Sequence, residues 1–197
     1  MLAVASGSEQ LTRAIRSLEA SFLIGVEGVC EIWLIRHADC YQDMGEVADP
    51  PLSVLGRDQA ARLAERVRRA GPAAVYSSPY RRALETARTI TDDVRVDERL
   101  VEMDLGIKED GTFDLTEDPT HVVKRMRAAL ADIAREHAGQ RVAVVGHAAA
   151  IVACLTDILQ LDYGRLRILP YFTSVSVLRV LGDRTMVGAL TDVAHLE

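Results

Sequence analysis

The stretch IWLIRHAD, residues 32–39, climbs through four apolar side chains to an arginine and a histidine and stops. Ile32, Trp33, Leu34 and Ile35 show no polar alternation, the pattern of a strand covered on both faces. Taken alone, Arg36-His37 reads as two solvated residues at a strand end, because one such pair carries little information. The surrounding chain gives the pair more weight.

From residue 31 onward strands and helices alternate. Strand one spans about 31–36. Ser53 is a good N-cap for a helix, VLGRDQAARLAERVRRA, that stops at Gly71-Pro72. A second strand is expected over 73–78, and then a helix whose first turn takes Pro79. A short strand follows at 94–96, then a loop rich in Asp, Glu and Gly over 97–119. A long helix ends at Gly139, RVAVVG is an apolar strand, and AAAIVACLTDILQ follows as a helix. SVSVLRVL and RTMVGAL read as two late strands joined by Gly182-Asp183. This alternation predicts an α/β fold, a three-layer α/β/α sandwich around a mainly parallel central sheet. Residues 30–197 are expected to form one such domain. Residues 1–29 are expected to be an N-terminal extension, a short helix or a partly disordered stretch, with Leu11, Ile15, Leu18 and Phe22 at helical spacing.

The chain has 197 residues, 49% of them hydrophobic and 26% charged, enough apolar content for a true core. A net charge of -6 argues against nucleic acid or an anionic membrane surface as partner. It does not exclude a small anion held by a few arginines. Cys30, Cys40 and Cys154 are scattered, with no CxxC, so neither a cysteine zinc site nor a disulfide framework is expected. No apolar run reaches the ~20 residues of a membrane span, and the patch at 21–26 makes a poor signal peptide. The expected location is cytoplasmic.

Ligands of such sheets bind beyond the carboxyl ends of the strands. Strand one ends at Arg36-His37. Strand two ends at Ser77-Ser78, with Arg81 and Arg82 just beyond. RVAVVG runs directly into His147. These residues are expected to share one rim, near helix N-termini that favour anions. A neutral imidazole attacks phosphorus, guanidiniums bind the phosphoryl oxygens, and a carboxylic acid protonates the leaving oxygen. Glu102 is the first candidate for that acid, with Asp104 and Glu85 behind it.

At this point the chain resembles the histidine phosphatase superfamily, also called phosphoglycerate mutase-like. The family's R-H-G is matched by Arg36-His37-Ala38, and its L-(S/T)-x-x-G-x-x-Q-A by LSVLGRDQA, 52–60. S-S-P-x-x-R-A-x-(Q/E)-T-A is matched by SSPYRRALETA, 77–87, L-x-E-x-x-x-G by LVEMDLG, and S-H-G by GHA at 146–148. All five blocks occur in order. The resemblance implies a catalytic His37, an acid at Glu102, and a phosphate bound by Arg36, Arg82 and His147, with no metal and no cofactor. It leaves Arg81 on the surface. Two departures stand beside the pocket: Ala38 replaces a glycine, and GHAAA replaces the usual SHGG. Alanine at these places threatens backbone conformation or close approach. A catalytically impaired phosphate-binding module is therefore the alternative to an active hydrolase.

The other histidines have bland readings. His121, His137 and His195 are structural or solvated. Arg57, Arg62, Arg66, Arg68 and Arg69 form a solvated helix face. Ser77 and Ser78 sit in no G-x-S-x-G elbow. Mutases of the family resemble R-H-G-x-S-x-W-N and carry a long insertion before the second histidine. This chain lacks the Trp-Asn and has little room for a cap, which points to hydrolysis, with a mutase-type phosphotransferase as the lesser reading. Asp39, Asp43, Glu46 and Asp49 are expected near the entrance, disfavouring polyanions. The expected substrate is a small, singly phosphorylated metabolite, with a phosphoprotein as second choice. Monomer and homodimer are both left open.

Overall fold

The apolar run at 32–35 forms the middle of a buried strand with a neighbour on each side. The computed structural model describes residues 7–41, 49–163 and 165–197. In chain order its elements are α1 (Gly7–Ser21), β1 (Cys30–Arg36), α2 (Val54–Ala70), β2 (Ala74–Ser77), α3 (Arg81–Ile90) and β3 (Val94–Val96). They continue with β4 (Leu105–Ile107), β5 (Phe113–Leu115), α4 (Pro119–Glu136), β6 (Arg141–Gly146), α5 (Ala148–Ile158), β7 (Val175–Leu181) and β8 (Arg184–Asp192). The main sheet has the order β3-β2-β6-β1-β7-β8. Its first four strands are parallel, and β7 and β8 are antiparallel. The fold is thus the α/β sandwich expected from the sequence.

Both faces of β1 are apolar because both are covered. Ile32 and Leu34 enter one core cluster with Met126, Leu130, Ile151 and Leu155 of α4 and α5. Ile35, with Trp33 packed beside it, enters the other, with Leu63 and Val67 of α2 and Ala83 and Ala87 of α3. The period-2 side-chain alternation of a strand thereby feeds two apolar layers.

The ends of the helices follow local chemistry. Ser53 accepts the Gly56 N–H at the start of α2, and Gly71 closes it in the left-handed region at φ 65°, donating to Val67 and Arg68 carbonyls. Asp118 caps α4 through the Thr120 N–H. Three expectations need correction. Pro79 lies outside α3, whose N-cap is Tyr80. The segment 97–119 holds a 3₁₀ turn at Glu98–Leu100 and the antiparallel hairpin β4–β5, its turn at Gly111 (φ 79°). And α4 ends at Glu136, before Gly139. α1 buries none of its side chains, and Leu11, Ile15, Leu18 and Phe22 are exposed. Among the described residues no helix is long and apolar enough to cross a membrane. All three cysteines are free and buried.

Candidate active site

Parallel register brings the two histidines together. Arg36 of β1 is paired with Gly146 of β6, and each histidine is the next residue after its strand. The His37 N–H donates to the Gly146 carbonyl at 2.9 Å, and the two ring centroids are 5.1 Å apart. β2 lies on the other side of β6, so its end delivers Ser78 to the same rim, and α3 turns Arg82 back over His37.

His37 is almost wholly buried. Its Nδ1 lies 2.7 Å from the Ala38 carbonyl. A carbonyl only accepts, so Nδ1 carries the proton and Nε2 presents its lone pair. The Arg82 Nε donates to that Nε2 at 3.3 Å. Burial first, and then the Arg82 and Arg36 charges, push the His37 imidazole down to about 3. The ring is therefore a neutral base and nucleophile across the ordinary pH range.

The remaining cations converge on the same place. Arg36 donates from Nη1 to the Pro170 carbonyl at 2.7 Å, and its guanidinium lies 3.9 Å over the Phe172 ring. Arg82 pairs with Asp49 at 3.0 Å. His147 is bonded through Nε2 to the Ser78 hydroxyl at 2.8 Å. Burial also holds its imidazole well below the usual histidine range. Among the described residues, the Arg36 Nε and the His147 Nδ1 are buried with no hydrogen-bond partner. Buried unpaired polar atoms are costly, and two of them on side chains that flank His37 suit an anion with several oxygens. α5 begins immediately after His147 and adds its positive end.

Glu102 takes an unexpected position. His147, at the N-cap of α5, makes no side-chain cap bond. The Glu102 carboxylate caps the helix instead. Its Oε1 accepts from Ala150 N and Met103 N at 2.9 Å each, and its Oε2 accepts from Ala149 N at 3.3 Å. The loop carrying it is clamped by Arg125 of α4, which donates to the Arg99, Val101 and Glu102 carbonyls at 2.9, 2.7 and 2.9 Å. Sequence reasoning missed Arg125, because an arginine in mid-helix has no local mark. The other acid candidates stand elsewhere. Glu85 is bonded to Leu52 N and to Arg81, and Asp104 is exposed. Arg81 is exposed, as expected.

The second motif block braces the loop after His37. The Asp39 N–H donates to Gln59 Oε1 at 2.9 Å, the Asp39 carbonyl accepts Ser53 N at 3.0 Å, and the Asp39 carboxylate accepts the Ser53 hydroxyl at 2.5 Å. Gly56 lies so close beneath that a Cβ there would be 1.9 Å from the Asp39 carbonyl oxygen. Asp39 is thus buried and structural, which corrects its expected place at the entrance. Asp49 is at the pocket, on Arg82; Asp43 and Glu46 lie outside the described residues. Ala38 donates its N–H to Thr86 Oγ1 at 3.0 Å and packs its methyl with Leu52 and Ala60. Its φ is not positive. Nothing at 38 requires glycine.

Another brace comes from the far edge. Thr173 is buried in the left-handed region at φ 60°, where a β-branched residue is strained. Its N–H reaches the Arg36 carbonyl at 3.1 Å. Arg66 donates to His195 Nδ1 at 3.2 Å, so His195 Nε2 carries the proton and donates to Thr173 Oγ1 at 3.0 Å. His195 therefore belongs to a bonded chain leading to strand one. His137 is buried between Tyr76 and Gln140, and His121 is exposed. Among the described residues no three His, Cys, Asp or Glu side chains are grouped as metal ligands.

Known proteins are similar to this chain. The model of the histidine phosphatase superfamily (branch 1) matches residues 32–116 and 109–193. A probable phosphoglycerate mutase GpmB of Enterobacter sp. (strain 638) is 27% identical over 205 aligned positions, covering 85% of this chain and 95% of the relative. The GpmB of Proteus mirabilis is 28% identical, with 84% and 94% covered. Among solved structures, a mutant phosphoserine phosphatase of Entamoeba histolytica in complex with phosphoserine superposes with TM-score 0.72 at 20% identity, over 85% of this chain and all of that one. YhfR of Bacillus stearothermophilus gives 0.70 at 24%, with 85% and 100% covered. These structural likenesses speak for the fold.

Proposed function

The chain belongs to the histidine phosphatase superfamily (branch 1), and from that premise we propose that it is a phosphomonoester hydrolase working through a phosphohistidine on His37. The observation that carries this reading is the tautomer: Nδ1 is tied to the Ala38 carbonyl, which leaves Nε2 as the lone-pair nitrogen, engaged by a long 3.3 Å bond from Arg82 Nε. Nε2 attacks phosphorus, the bond from phosphorus to the ester oxygen breaks, and that oxygen takes a proton from Glu102. Water then attacks the phosphohistidine, Glu102 takes the water proton, and the P–N bond breaks to return His37. Oε2, held only by the 3.3 Å contact to Ala149, is the less tightly engaged oxygen and is assigned the proton. Arg36, Arg82 and His147 hold the phosphoryl oxygens, and Asp49 gives up Arg82 to them.

Hydrolysis fits the pocket better than return transfer. A mutase holds a charged product, which takes spare cations. Here Arg81 is paired with Glu85, Arg125 with Glu117 and three carbonyls, and Arg57 with the Leu52 carbonyl. The small β4–β5 hairpin supports an open, water-accessible site. The unstrained Ala38 supports an active enzyme over a binding module. We take the reaction to need no metal or cofactor, the substrate to be a small phosphorylated metabolite before a phosphoprotein, and the optimum to lie on the acid side of neutrality. We take the location to be cytoplasmic, in keeping with three free thiols, and residues 30–197 to be the single α/β domain with 1–29 appended. The test is hydrolysis of p-nitrophenyl phosphate across about pH 5–8 with EDTA present, comparing wild type with His37→Ala. Activity that is lost in the variant, with acid-labile phosphate trapped on the wild type, is expected. Equal rates in the two proteins, or metal-dependent turnover, would overturn it.

A further inference from the structure

Arg36, the last residue of β1, is gripped by one short segment. Its Nη1 donates to the Pro170 carbonyl at 2.7 Å, and its guanidinium lies 3.9 Å over the Phe172 ring. Its backbone carbonyl accepts the Thr173 N–H at 3.1 Å, and its backbone N–H donates to the Ser174 carbonyl at 3.2 Å. The direction of the guanidinium therefore depends on how residues 170–174 are held. These residues make a tight turn, closed by the Ser174 N–H on the Tyr171 carbonyl at 3.0 Å. Its pivot is Thr173, at φ 60°. A β-branched residue stays in the left-handed region only where its surroundings impose it.

Two bonds on the Thr173 hydroxyl supply that constraint. Oγ1 donates its one proton to the Phe172 carbonyl at 2.6 Å, so it meets His195 as an acceptor, from Nε2 at 3.0 Å. His195 is held in turn. Arg66 donates to its Nδ1 at 3.2 Å and to the two Asp192 oxygens at 3.1 and 2.8 Å. Burial, and then the Arg66 charge, push the His195 imidazole down to about 4, so the neutral ring keeps this tautomer through the ordinary assay range. Thr173 is fully buried and His195 half-buried, which shields the bond between them from water. None of the five motif blocks contains either residue.

Resting on the reading of Arg36 as a residue that holds the phosphoryl oxygens, we infer that His195 is a positioning residue for the phosphate site: through the Thr173 hydroxyl it fixes the turn at 171–174, and with it the Arg36 guanidinium. His195 itself touches no substrate. Its effect is on how tightly the phosphoryl group is held, and it acts from beyond the end of β8.

The deciding measurement is the inhibition constant of inorganic phosphate against p-nitrophenyl phosphate turnover, on full-length chains shown to be folded by circular dichroism. His195→Ala is expected to raise that constant about 10-fold and to lower kcat/KM comparably, part of the roughly 100-fold that a 1 Å misplacement costs. His195→Gln, which keeps an N–H donor for Thr173, is expected to restore both. Arg62→Ala removes the bond to the Leu196 carbonyl and loosens the same tail without touching Thr173; it is expected to leave the constant unchanged. Should His195→Ala fail to fold, Thr173→Val, which removes the hydroxyl at constant shape, is expected to show the same rise. An unmoved phosphate constant in folded His195→Ala or Thr173→Val, no recovery in His195→Gln, or an equal rise in Arg62→Ala would overturn the inference and leave the phosphatase reading standing. Absence of any p-nitrophenyl phosphate hydrolysis by wild type would overturn the phosphatase reading itself, and this inference with it.

Discussion

Gly56→Ala is the sharpest test of how the nucleophile loop is held. A Cβ at 56 would stand 1.9 Å from the Asp39 carbonyl oxygen, 2.8 Å from its carbonyl carbon and 3.1 Å from its nitrogen. Real Cβ contacts stay beyond 3.0 Å, so about 1.1 Å of movement is needed, and the obstacle is backbone. Asp39 is two residues from His37. It is held by Ser53 N at 3.0 Å, Ser53 Oγ at 2.5 Å and Gln59 Oε1 at 2.9 Å. The shift strains α2 and loosens one or two of those bonds. Overpacking of this kind costs about 1–3 kcal/mol, and each lost bond about 1 kcal/mol. The expected loss is about 2–4 kcal/mol, or roughly 5–15 °C in Tm for a chain of this size. The protein stays folded, because that is less than a typical total stability. Displacement of His37 by about 1 Å lowers kcat about 100-fold. Urea unfolding followed by circular dichroism gives the first quantity, and p-nitrophenyl phosphate turnover the second. A variant with unchanged urea midpoint and kcat within twofold of wild type would refute the claim that this close approach positions the nucleophile.

Two further outcomes follow from the same structure. Ala38→Gly is expected to lower stability by about 1 kcal/mol, since it removes a buried methyl packed with Leu52 and Ala60 and frees the unfolded backbone; its kcat stays within about twofold, and a tenfold gain would show that the native alanine impairs the site after all. Stability is expected to fall between pH 7 and pH 5.5. His37 and His195 are pushed down to about 3 and about 4, and His147 well below its usual range, all mainly by burial. A depressed histidine is neutral in the fold, while the unfolded chain takes up its proton below about pH 6.5. The stabilisation is therefore complete above that pH and lost as pH falls towards the folded values. Urea midpoints at the two pH values check it, and a flat response would contradict the buried neutral assignment.

Much of the fold could be read from one dimension because its causes are local. The unbroken apolar run at 32–35, Ser53 at a helix start and Gly71 at a helix end act through a strand's two faces or through bonds spanning three or four residues. The five motif blocks likewise mark His37, Arg82, Glu102 and His147, since each stands at an element boundary with a distinctive neighbour pattern. The hairpin β4–β5 escaped this reading. Its strands are three residues each, too short for alternation to register.

What remained hidden depends on contacts across many residues. The tautomer of His37, the capping of α5 by Glu102 47 positions away in sequence from Ala149, and the burial of Asp39 beneath α2 are products of register and packing. His195 looked like a tail residue and is bonded to strained Thr173, because β8 carries it back along the sheet edge to the end of β1. The gathering of Tyr41, Tyr80 and Phe172 around His37 and His147 is of the same kind. These three sit on three separate loops, and only the parallel pairing of β2, β6 and β1, with β7 antiparallel beside them, brings those loops to one rim. Residue chemistry and strand order were legible in the chain; which side chains touch, and hence which protons and charges are available, was decided when distant segments packed and excluded water.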